Sequence, residues 1–256
     1  MTSNTSVLTN ESLRGKIAFI TGGSRGMGAA IVKRLASEGA RVIFTHSGSN
    51  TEKADLVVRD VEAAGGEASH LVADNGSAES VTAAVRKVIS DYGRIDILVN
   101  NAGIFMYKPT QESTEEEFDR MMSVNVKAVF LAMKEAAAGM PEGGRIITIG
   151  SNVADRVSDP NMGLYGMSKS ALIGLNKGMA RELGPRDITV NLVQPGPIDT
   201  DMNPADSEMA WEIKKYIPVS RYGKAEEIAG LVSFLTGADS RFITGTSITI
   251  DGGFNS

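Results

Sequence analysis

The sequence predicts an α/β fold in which helices cover both faces of a single doubly wound parallel sheet of about seven strands. Short apolar runs rich in β-branched residues recur along the chain, and most of them are separated by segments with helical periodicity. Runs that are apolar on both faces suit the strands of a parallel sheet buried on each side. Right-handed crossovers between such strands then favour a doubly wound layer over an antiparallel sandwich.

The predicted strands and helices alternate in chain order. The strands are expected at 17–21, 42–45, 68–72, 95–100, 145–149, 188–193 and 247–250. The helices are expected at 26–38, 51–64, 78–92, 114–139, 163–183 and 225–235. Gly39 and Pro185 follow two of these helical patterns and mark the points where the helices stop before the next strand.

The composition is that of a globular protein with one large core. Hydrophobic residues make up 42% of the 256 positions, and we expect one domain over residues 12–256. Residues 1–11 are polar and contain neither a basic segment nor an apolar run, so we expect a flexible tail and no secretory signal. No apolar stretch approaches the roughly 20 residues of a membrane span. We therefore expect a cytoplasmic protein.

The charge pattern limits the kinds of partner that the chain could bind. The formal net charge is −5, and the Lys and Arg residues are scattered along the sequence. These features favour a small soluble substrate and give no reason to expect a nucleic-acid or membrane partner. The sequence has no cysteine and only two histidines, His46 and His70, so we expect no metal site.

A glycine-rich turn joins the first predicted strand to the first predicted helix. In chain order it contains Gly22, Gly23, Ser24, Arg25, Gly26, Met27 and Gly28. Glycines let the backbone pass close to a pyrophosphate, and the free N–H groups and dipole of the helix favour its negative charge. The spacing differs by one residue from the usual G-x-G-x-x-G fingerprint, and a bare glycine cluster would simply be a tight turn. Between a strand and a helix, it predicts a dinucleotide site.

Tyr165 and Lys169 are four residues apart in a predicted helix and therefore share one face of it, with Ser151 upstream. A fixed ammonium beside a phenol favours the phenolate and lowers its pKa from the ordinary value of about 10. That is what general acid–base catalysis on an alcohol or ketone requires. Taken alone, the spacing is also found in solvated surface pairs.

Taken together, these motifs resemble the short-chain dehydrogenase/reductase family from about Leu13 to Gly253. The matching elements, in family order and spacing, are the glycine turn, Asn100-Asn101-Ala102-Gly103, Ser151, Tyr165-x-x-x-Lys169 and Pro195-Gly196. The resemblance implies a Rossmann-type domain and NAD(P)-dependent oxidoreductase activity on CH–OH or C=O groups, as in 3-oxoacyl carrier-protein reductases and carbonyl reductases. Members are usually homotetramers.

The resemblance also implies the role of each catalytic residue. Ser151 would polarise a carbonyl, Tyr165 would deliver the proton, and Lys169 would lower the pKa of Tyr165 and hold the nicotinamide ribose. Asn125 would be the fourth member, its backbone supporting a water that links Lys169 to solvent. Asn is a poor helix former inside the predicted helix 114–139, so it could instead cap a local kink. The stretch from Ser151 to Tyr165 is one residue longer than in many members, which leaves the shape of the substrate-side loop open.

The end of the second predicted strand favours NADP(H) over NAD(H). NAD-preferring members carry an acidic residue there that binds the adenosine ribose and would repel a 2′-phosphate. This chain has Thr45, His46 and Ser47 instead, and Arg25 in the glycine turn could add a positive charge. Arg25 could also be a solvated turn residue and His46 a strand-end cap, and an NAD-linked alcohol dehydrogenase remains the rival within the enzyme class.

The remaining cofactor residues follow from the resemblance alone. Further residues expected at the adenosine half are Asp74, Asn75, Asn101, Ala102 and Gly103. The loop expected to bind the nicotinamide carboxamide contains Pro195, Gly196, Ile198, through its backbone, and Thr200. The segment 199–222 would form a lid, whose methionine and aromatic residues suit a medium-sized apolar ketone.

A second resemblance leaves a non-enzymatic role open. The stretches 140–146 and 194–205 are similar to a branch of cyclic-di-GMP-binding biofilm-dispersal oxidoreductases. A regulatory protein could use the same fold to sequester a nucleotide. The complete set of Ser151, Tyr165 and Lys169 is hard to explain in a pure binding protein, and it favours the enzyme.

Overall fold

The computed structural model describes residues 12–256, so the tail predicted at 1–11 lies outside the described residues. Seven strands form one sheet in the spatial order β3-β2-β1-β4-β5-β6-β9, and every neighbouring pair is parallel. The strands of this sheet are β1 (Ile17–Thr21), β2 (Arg41–His46), β3 (Glu67–Val72), β4 (Ile97–Asn100), β5 (Arg145–Ile149), β6 (Thr189–Pro195) and β9 (Ser247–Ile250). The predicted fold class is confirmed.

Eight helices accompany the sheet in the described part of the chain. They are α1 (Gly26–Ser37), α2 (Thr51–Ala63), α3 (Ala78–Tyr92), α4 (Glu115–Met122), α5 (Ala128–Gly139), α6 (Gly163–Leu183), α7 (Glu208–Lys214) and α8 (Ala225–Thr236). Two short strands, β7 (Ile198–Asp199) and β8 (Gly223–Lys224), pair with each other beside the main sheet. Within residues 12–256, no helix is both long and apolar enough to cross a bilayer.

The core has one layer on each face of the sheet. Phe19 and Ile20 are neighbours on β1 and point to opposite faces, as successive strand residues must. Ile20 joins the cluster in which α1, α2 and α8 cover one face. Phe19 joins the cluster formed with α3, α5 and α6 on the other face. Burial on both faces explains why the strand sequences are apolar without alternation.

The strand order creates a crevice at the carboxyl edge of the sheet. The chain runs outward from β1 through β2 to β3 and then returns to form β4 on the other side of β1. Connections therefore leave β1 and β4 in opposite directions, and open α/β sheets bind ligands at such a point. The glycine turn follows β1, and the loop beginning at Asn101 follows β4.

Three features differ from the expected elements, one of which is the unpredicted pair of short strands β7 and β8. The predicted helix 114–139 is interrupted by a π-helical turn at Ser123–Lys127, which separates α4 from α5 and contains Asn125. The segment expected to be a lid contains the seven-residue helix α7, which was not predicted. The Ser207 hydroxyl caps α7 by accepting from the backbone N–H of Ala210 at 3.2 Å. So short a helix has too few turns to give a clear periodic signal.

Candidate active site

A cleft of about 460 Å³ lies at the carboxyl edge of the sheet, over the crevice between β1 and β4. Most of the residues predicted to bind the cofactor line it: Gly22, Ser24, Arg25, Gly26, Met27, Gly28, Thr45, His46, Ser47, Asp74, Asn75, Asn101, Ala102, Gly103, Tyr165, Lys169 and Thr200. The parallel strands bring these separate stretches of sequence to one edge. The shape suits an extended ligand that spans from the β2 end to α6.

The glycine turn leaves the N-terminus of α1 open to an anion. The first turn of this helix carries no acidic side chain, and no side chain caps it at Arg25. Gly22 and Gly26 have φ values of 72° and 52°, which favour glycine. A Cβ on Gly28 would lie 2.1 Å from the carbonyl oxygen of Gly22, so the helix packs too closely for any side chain there. The unpaired N–H groups fit a phosphate or pyrophosphate.

Asn101 holds the turn in place rather than reaching into the cleft with a free amide. Its side-chain nitrogen donates to the carbonyl oxygens of Thr21 at 3.1 Å and Gly22 at 2.8 Å. The Thr21 hydroxyl in turn accepts from the backbone N–H groups of Asn101 and Ala102. This network joins the ends of β1 and β4, so Asn101 fixes the glycine turn against the loop after β4.

The end of β2 presents hydroxyls and a histidine to the cleft. The Thr45 hydroxyl accepts from the backbone N–H of Gly22 at 3.2 Å and so braces the glycine turn. Ser47 accepts from the Asn50 amide at 2.8 Å. His46 is buried, and both of its ring nitrogens contact protein groups. The Arg25 side chain is exposed and makes no hydrogen bond or ion pair among residues 12–256, although its charge helps to lower the pKa of Asp201. Its guanidinium lines the cleft and is available to a ligand.

Tyr165 and Lys169 lie one turn apart on α6, at the other end of the cleft. The Lys169 ammonium is buried, donates to the carbonyl oxygen of Ile149 at 3.1 Å, and lies 5.8 Å from the centroid of the Tyr165 ring. Phe105 packs edge-on against that ring with centroids 5.0 Å apart. Ser151 follows β5, and its hydroxyl accepts from the Val153 N–H at 3.3 Å and lies near enough to the Tyr165 phenol to lower its pKa. The predicted catalytic side chains therefore converge.

The pKa values in this site are set chiefly by burial. Burial raises the pKa of Tyr165, and the nearby Ser151 hydroxyl lowers it by a smaller amount. Burial also lowers the pKa of Lys169 to about 8. The expectation of a lowered Tyr165 pKa is therefore not met in this structure, because burial has the largest effect on the phenol. Sequence spacing places an ammonium near the phenol, but it does not reveal how far both groups are removed from water.

Asn125 is buried in the π-helical turn and contacts the loop after β4. Its side-chain oxygen accepts from the Ile104 N–H at 2.9 Å, and its nitrogen donates to the Ile104 carbonyl at 3.0 Å. The same nitrogen donates to the Ser168 hydroxyl at 3.1 Å. A Cβ on Gly103 would lie 3.3 Å from the Asn125 oxygen and 3.4 Å from the Lys169 nitrogen. Asn125 thus joins this loop to α6 immediately beside Lys169.

Three residues predicted in the carboxamide loop do not line the cleft with their side chains. Pro195 ends β6, and Ile198 is buried in the core layer under α1 and α8. Gly196 packs closely on Asp251, where an added Cβ would lie 2.5 Å from the Cβ of that residue. None of these three residues lines the cleft, and the expected contact of the Ile198 backbone with the carboxamide stays a prediction. Thr200 does line the cleft.

Several lining residues were not predicted. They are Ser49, Asn50, Ala73, Ile104, Phe105, Arg120, Val124, Ile149 and Gly150, whereas Asp201 and Met202, which also line the cleft, belong to the segment 199–222 expected as a lid. The first four continue stretches already singled out, and extending those stretches by a few residues would have found them. The sequence pattern did not single out Arg120, because it is one of many charged residues in the polar helix α4. Within residues 12–256, no group of three or more His, Cys, Asp or Glu side chains is arranged to hold a metal ion.

Comparison with known proteins agrees with this geometry. Residues 22–255 match the family model described as enoyl-(acyl carrier protein) reductase. A cyclic-di-GMP-binding biofilm dispersal mediator protein of Escherichia coli (strain K12) is 45% identical over 240 residues, which cover 94% of this chain and 97% of that protein.

Solved structures of similar proteins extend the comparison to the whole fold. A short-chain dehydrogenase/reductase from Serratia marcescens BCRC 10948 is 54% identical, with a TM-score of 0.93 over 96% of this chain and 100% of that one. A short chain dehydrogenase from Burkholderia cenocepacia J2315, in complex with NADP, is 49% identical with the same TM-score and coverage. The chain belongs to the short-chain dehydrogenase/reductase family and is an NAD(P)-dependent oxidoreductase of CH–OH and C=O groups.

Proposed function

We propose that this protein uses NADPH to reduce a ketone to a secondary alcohol. The observation that carries the proposal is that Tyr165 and Lys169 line the same cleft as the acid-free N-terminus of α1. One end of the cleft offers a proton donor, and the other offers N–H groups to a pyrophosphate. An extended dinucleotide is long enough to contact both ends, with its pyrophosphate at α1 and its reactive ring beside Tyr165.

The residues present fit such a cofactor. The N-terminus of α1 would hold the pyrophosphate, and Asp74 and Asn75 would flank the adenine. The ribose and carboxamide on the nicotinamide side would be held by Lys169 and Thr200. When bound, the reduced nicotinamide supplies a hydride. Polarisation of the carbonyl and transfer of the proton are left to the side chains of the protein.

Two side chains would act on the substrate, and Lys169 and Asn125 would support them. The Ser151 hydroxyl would donate a hydrogen bond to the carbonyl oxygen, and the Tyr165 hydroxyl would give it the proton that completes the alcohol. Burial raises the pKa of Tyr165, so the phenol carries its proton at neutral pH. With a pKa of about 8, the Lys169 ammonium is charged at neutral pH and would stabilise the phenolate left behind. Asn125 would keep the loop after β4 in position beside Lys169.

The β2 end supports NADPH over NADH. No carboxylate stands at Thr45, His46 or Ser47, and the unpaired Arg25 faces the same part of the cleft. A 2′-phosphate there would gain a positive partner and hydroxyl donors and would meet no acidic side chain from β2. The NADP complex of the similar Burkholderia protein supports the same preference. An NAD-linked alcohol dehydrogenase is the alternative within this class.

The substrate would be a medium-sized, fairly apolar ketone. The segment 199–222 would act as a lid over the cleft within a single catalytic domain. Met202 lines the cleft, and exposed Met209, Trp211 and Tyr216 follow in the same segment. A lid of methionine and aromatic side chains can adapt to apolar substrates of different shapes.

A second candidate function is binding of cyclic-di-GMP. It is supported by the 45% identity to a protein named for that ligand and by the similar stretches at 140–146 and 194–205. A cyclic dinucleotide carries two phosphates, and the N-terminus of α1 could accept one of them. The convergence of Ser151, Tyr165 and Lys169 favours the reductase as the primary role.

Assembly and location remain predictions. A homotetramer would pair the helices α4, α5 and α6 between subunits. Exposed apolar side chains on these helices, Phe118, Phe130 and Met167, support that arrangement, because association would remove them from water. A cytoplasmic location is expected from the sequence composition alone.

The proposal is tested by initial rates with NADPH and NADH on a panel of aliphatic, aryl and β-keto ester ketones. Faster turnover with NADPH on at least one apolar ketone is expected. A clear preference for NADH would overturn the cofactor assignment, and no turnover with either cofactor would overturn the reductase. Calorimetric titration with cyclic-di-GMP completes the design, since tight binding without any turnover would favour the binding protein.

A further inference from the structure

The two histidines of the chain are in direct contact beside the cofactor cleft. His46 on β2 and His70 on β3 approach through a ring-nitrogen contact of 3.0 Å, between Nε2 of His46 and Nδ1 of His70. The other nitrogen of His46, Nδ1, lies 2.7 Å from the carbonyl oxygen of Ser47. The other nitrogen of His70, Nε2, lies 3.0 Å from Oδ1 of Asp55 on α2. Four groups thus form one continuous hydrogen-bonded chain.

The two ends of this hydrogen-bonded chain are the Ser47 carbonyl and the Asp55 carboxylate, and both can only accept. A carbonyl oxygen only accepts, so Nδ1 of His46 carries a proton. An ionised carboxylate also only accepts, so Nε2 of His70 carries a proton. The contact between the rings needs one more proton, on one nitrogen or the other. Two neutral imidazoles hold two protons, whereas hydrogen bonds at all three contacts would use three.

We propose that His46 and His70 share one positive charge held by Asp55, and that this charge selects a cofactor bearing a 2′-phosphate. The inference rests on the proposed preference for NADPH and deepens it. His46 lines the cleft, whereas His70 and Asp55 do not. The imidazole of His46 therefore faces the ligand, and the carboxylate of Asp55 lies farther from it. His70 and Asp55 act as positioning residues, because they work through His46.

The arrangement changes the role expected for His46. Both of its nitrogens are used by Ser47 and His70, so neither is free to donate to a phosphate. His46 would instead attract the phosphate by its charge and would shape the wall of the cleft. Direct hydrogen bonds to a 2′-phosphate would come from Arg25 and from the serine hydroxyls of residues 47 and 49, which line the same region.

The other charged groups near the pair can be named for each neighbouring element. The glycine turn contributes Arg25, and the loop after β3 contributes Asp74, whose Oδ1 accepts from the Gly76 N–H at 2.8 Å. On α2, Lys53 is paired with Asp201 at 2.5 Å. Asp55 is thus the carboxylate that contacts an imidazole in this region, and its side chain is about half exposed.

The variant Asp55→Asn separates the effect of the positive charge on the histidines from the effect of their shape. An asparagine amide can donate to Nε2 of His70, so the whole chain is then satisfied by two neutral imidazoles. The shape and the hydrogen bonds are kept, while the positive charge on the histidines is lost. If Asp55 acted only as a nearby negative charge, removing it would strengthen the binding of a phosphate. The two explanations therefore predict changes of opposite sign.

The first experiment measures the dissociation constants of NADPH and NADH by fluorescence titration. In the wild type we expect tighter binding of NADPH, and in Asp55→Asn we expect NADPH to weaken by about three- to tenfold while NADH stays within about twofold. Asp60→Asn is the matched control, since Asp60 lies on the same helix but pairs with Lys33 and should change neither constant.

The outcomes separate the two proposals. If the wild type prefers NADH, the proposed NADPH dependence is wrong, and the inference that rests on it fails as well. A wild type that prefers NADPH and keeps its full selectivity in Asp55→Asn would overturn the role of the histidine pair alone. Tighter NADPH binding in the variant would also overturn it. Equal weakening of both cofactors would indicate a merely structural role.

The second experiment counts the protons without any cofactor. Because the chain has only two histidines, ¹⁵N-histidine labelling gives four ring nitrogens in the NMR spectrum of tag-free protein. At neutral pH we expect three protonated nitrogens in the wild type and two in Asp55→Asn. Two protonated nitrogens in both proteins would overturn the shared charge.

Discussion

The Lys169 ammonium lies over the ring of Tyr165, 5.8 Å from its centroid, while it donates a hydrogen bond to the carbonyl oxygen of Ile149. Burial acts on both side chains and disfavours the charged form of each. It raises the pKa of Tyr165 and lowers that of Lys169 to about 8. The proton is therefore retained on the phenol, which is the state that a reductase needs in its general acid.

The buried Lys169 ammonium should make stability depend on pH. Its pKa is about 8 in the folded protein, against an ordinary value of 10.5 for a lysine in water, so the unfolded chain binds more protons between these values. The cost of burying the charge is present below pH 8 and is relieved as the pH rises toward 10.5. Urea unfolding should show the wild type gaining stability relative to Lys169→Met across this range. Lys177→Met, at an exposed position on the same helix, should show no such gain, and a flat difference for Lys169→Met would contradict the burial argument.

Tyr165→Phe should abolish turnover and leave cofactor binding intact. The phenylalanine keeps the ring packed against Phe105 but removes the proton donor. Loss of a general acid costs about 100-fold or more in rate. Initial rates and NADPH titration measure the two effects separately. Tyr107→Phe is the control, since its exposed hydroxyl donates to Asp159 and should be dispensable. Retained activity in Tyr165→Phe would refute the assigned role.

Ser151→Ala should shift the pH profile of alcohol oxidation toward higher pH. In the proposed mechanism, oxidation uses the phenolate of Tyr165 as base, and Ser151 lowers the pKa of that phenol. Removing the hydroxyl leaves burial unopposed, so the pKa rises further and the rising limb of kcat/KM moves to the alkaline side. Ser170→Ala removes an exposed hydroxyl on α6 that donates to the carbonyl oxygen of Ala154, and it should leave the profile unchanged. An unshifted limb in Ser151→Ala would separate Ser151 from the titration of Tyr165.

Gly28→Ala should damage both the fold and cofactor binding. The added methyl group would lie 2.1 Å from the Gly22 oxygen and 2.6 Å from the Asn101 amide nitrogen, so the glycine turn would have to move. Such overpacking typically costs about 1–3 kcal/mol, and it should displace the N-terminus of α1 from a pyrophosphate. Thermal unfolding and NADPH titration would measure the two losses. Gly174→Ala on α6 meets no atom within 4 Å and should leave binding unchanged while raising stability slightly, because alanine favours helix. Unaltered NADPH affinity in Gly28→Ala would contradict the close-packing argument.

The parts of the fold that follow from local pattern could be predicted. Runs apolar on both faces require covered strands, and that requirement alone leads to the parallel sheet. The glycine turn and the spacing of Tyr165 and Lys169 are also local, and the sheet edge then brings them together. The proximity of Ser151, Tyr165 and Lys169 was predictable because these residues stand at one strand end and in one helix.

The parts that depend on contacts between distant segments could not be predicted. The π-helical turn forms where the Asn125 side chain meets the Ile104 backbone, and helical periodicity carries no trace of that contact. The contact of His46 with His70 depends on the register of β2 and β3, which sets Phe44 opposite His70. The direction of the Tyr165 pKa shift depends on burial, which spacing does not reveal.

An ion pair between Lys53 on α2 and Asp201 after β7, at 2.5 Å, joins two segments beside the cleft. Both side chains are about half exposed, and the ammonium lowers the pKa of the Asp201 carboxyl. Exposed pairs contribute at most about 1 kcal/mol, so breaking this one should hardly change the Tm. Because Asp201 lines the cleft, we expect the pair to slow cofactor release by restraining the proposed lid.

Lys53→Met and Asp201→Asn distinguish this restraint from a simple effect of charge. Each variant breaks the pair, so a restraint predicts that both accelerate NADPH dissociation in stopped-flow displacement. A charge effect on the cofactor phosphates predicts opposite signs, because one variant removes a positive charge and the other removes a negative one. Glu212→Gln breaks the exposed pair with Lys215 within the same segment, at 2.7 Å, and should leave dissociation unchanged. Opposite signs in the first two variants would show that the ion pair does not restrain the lid.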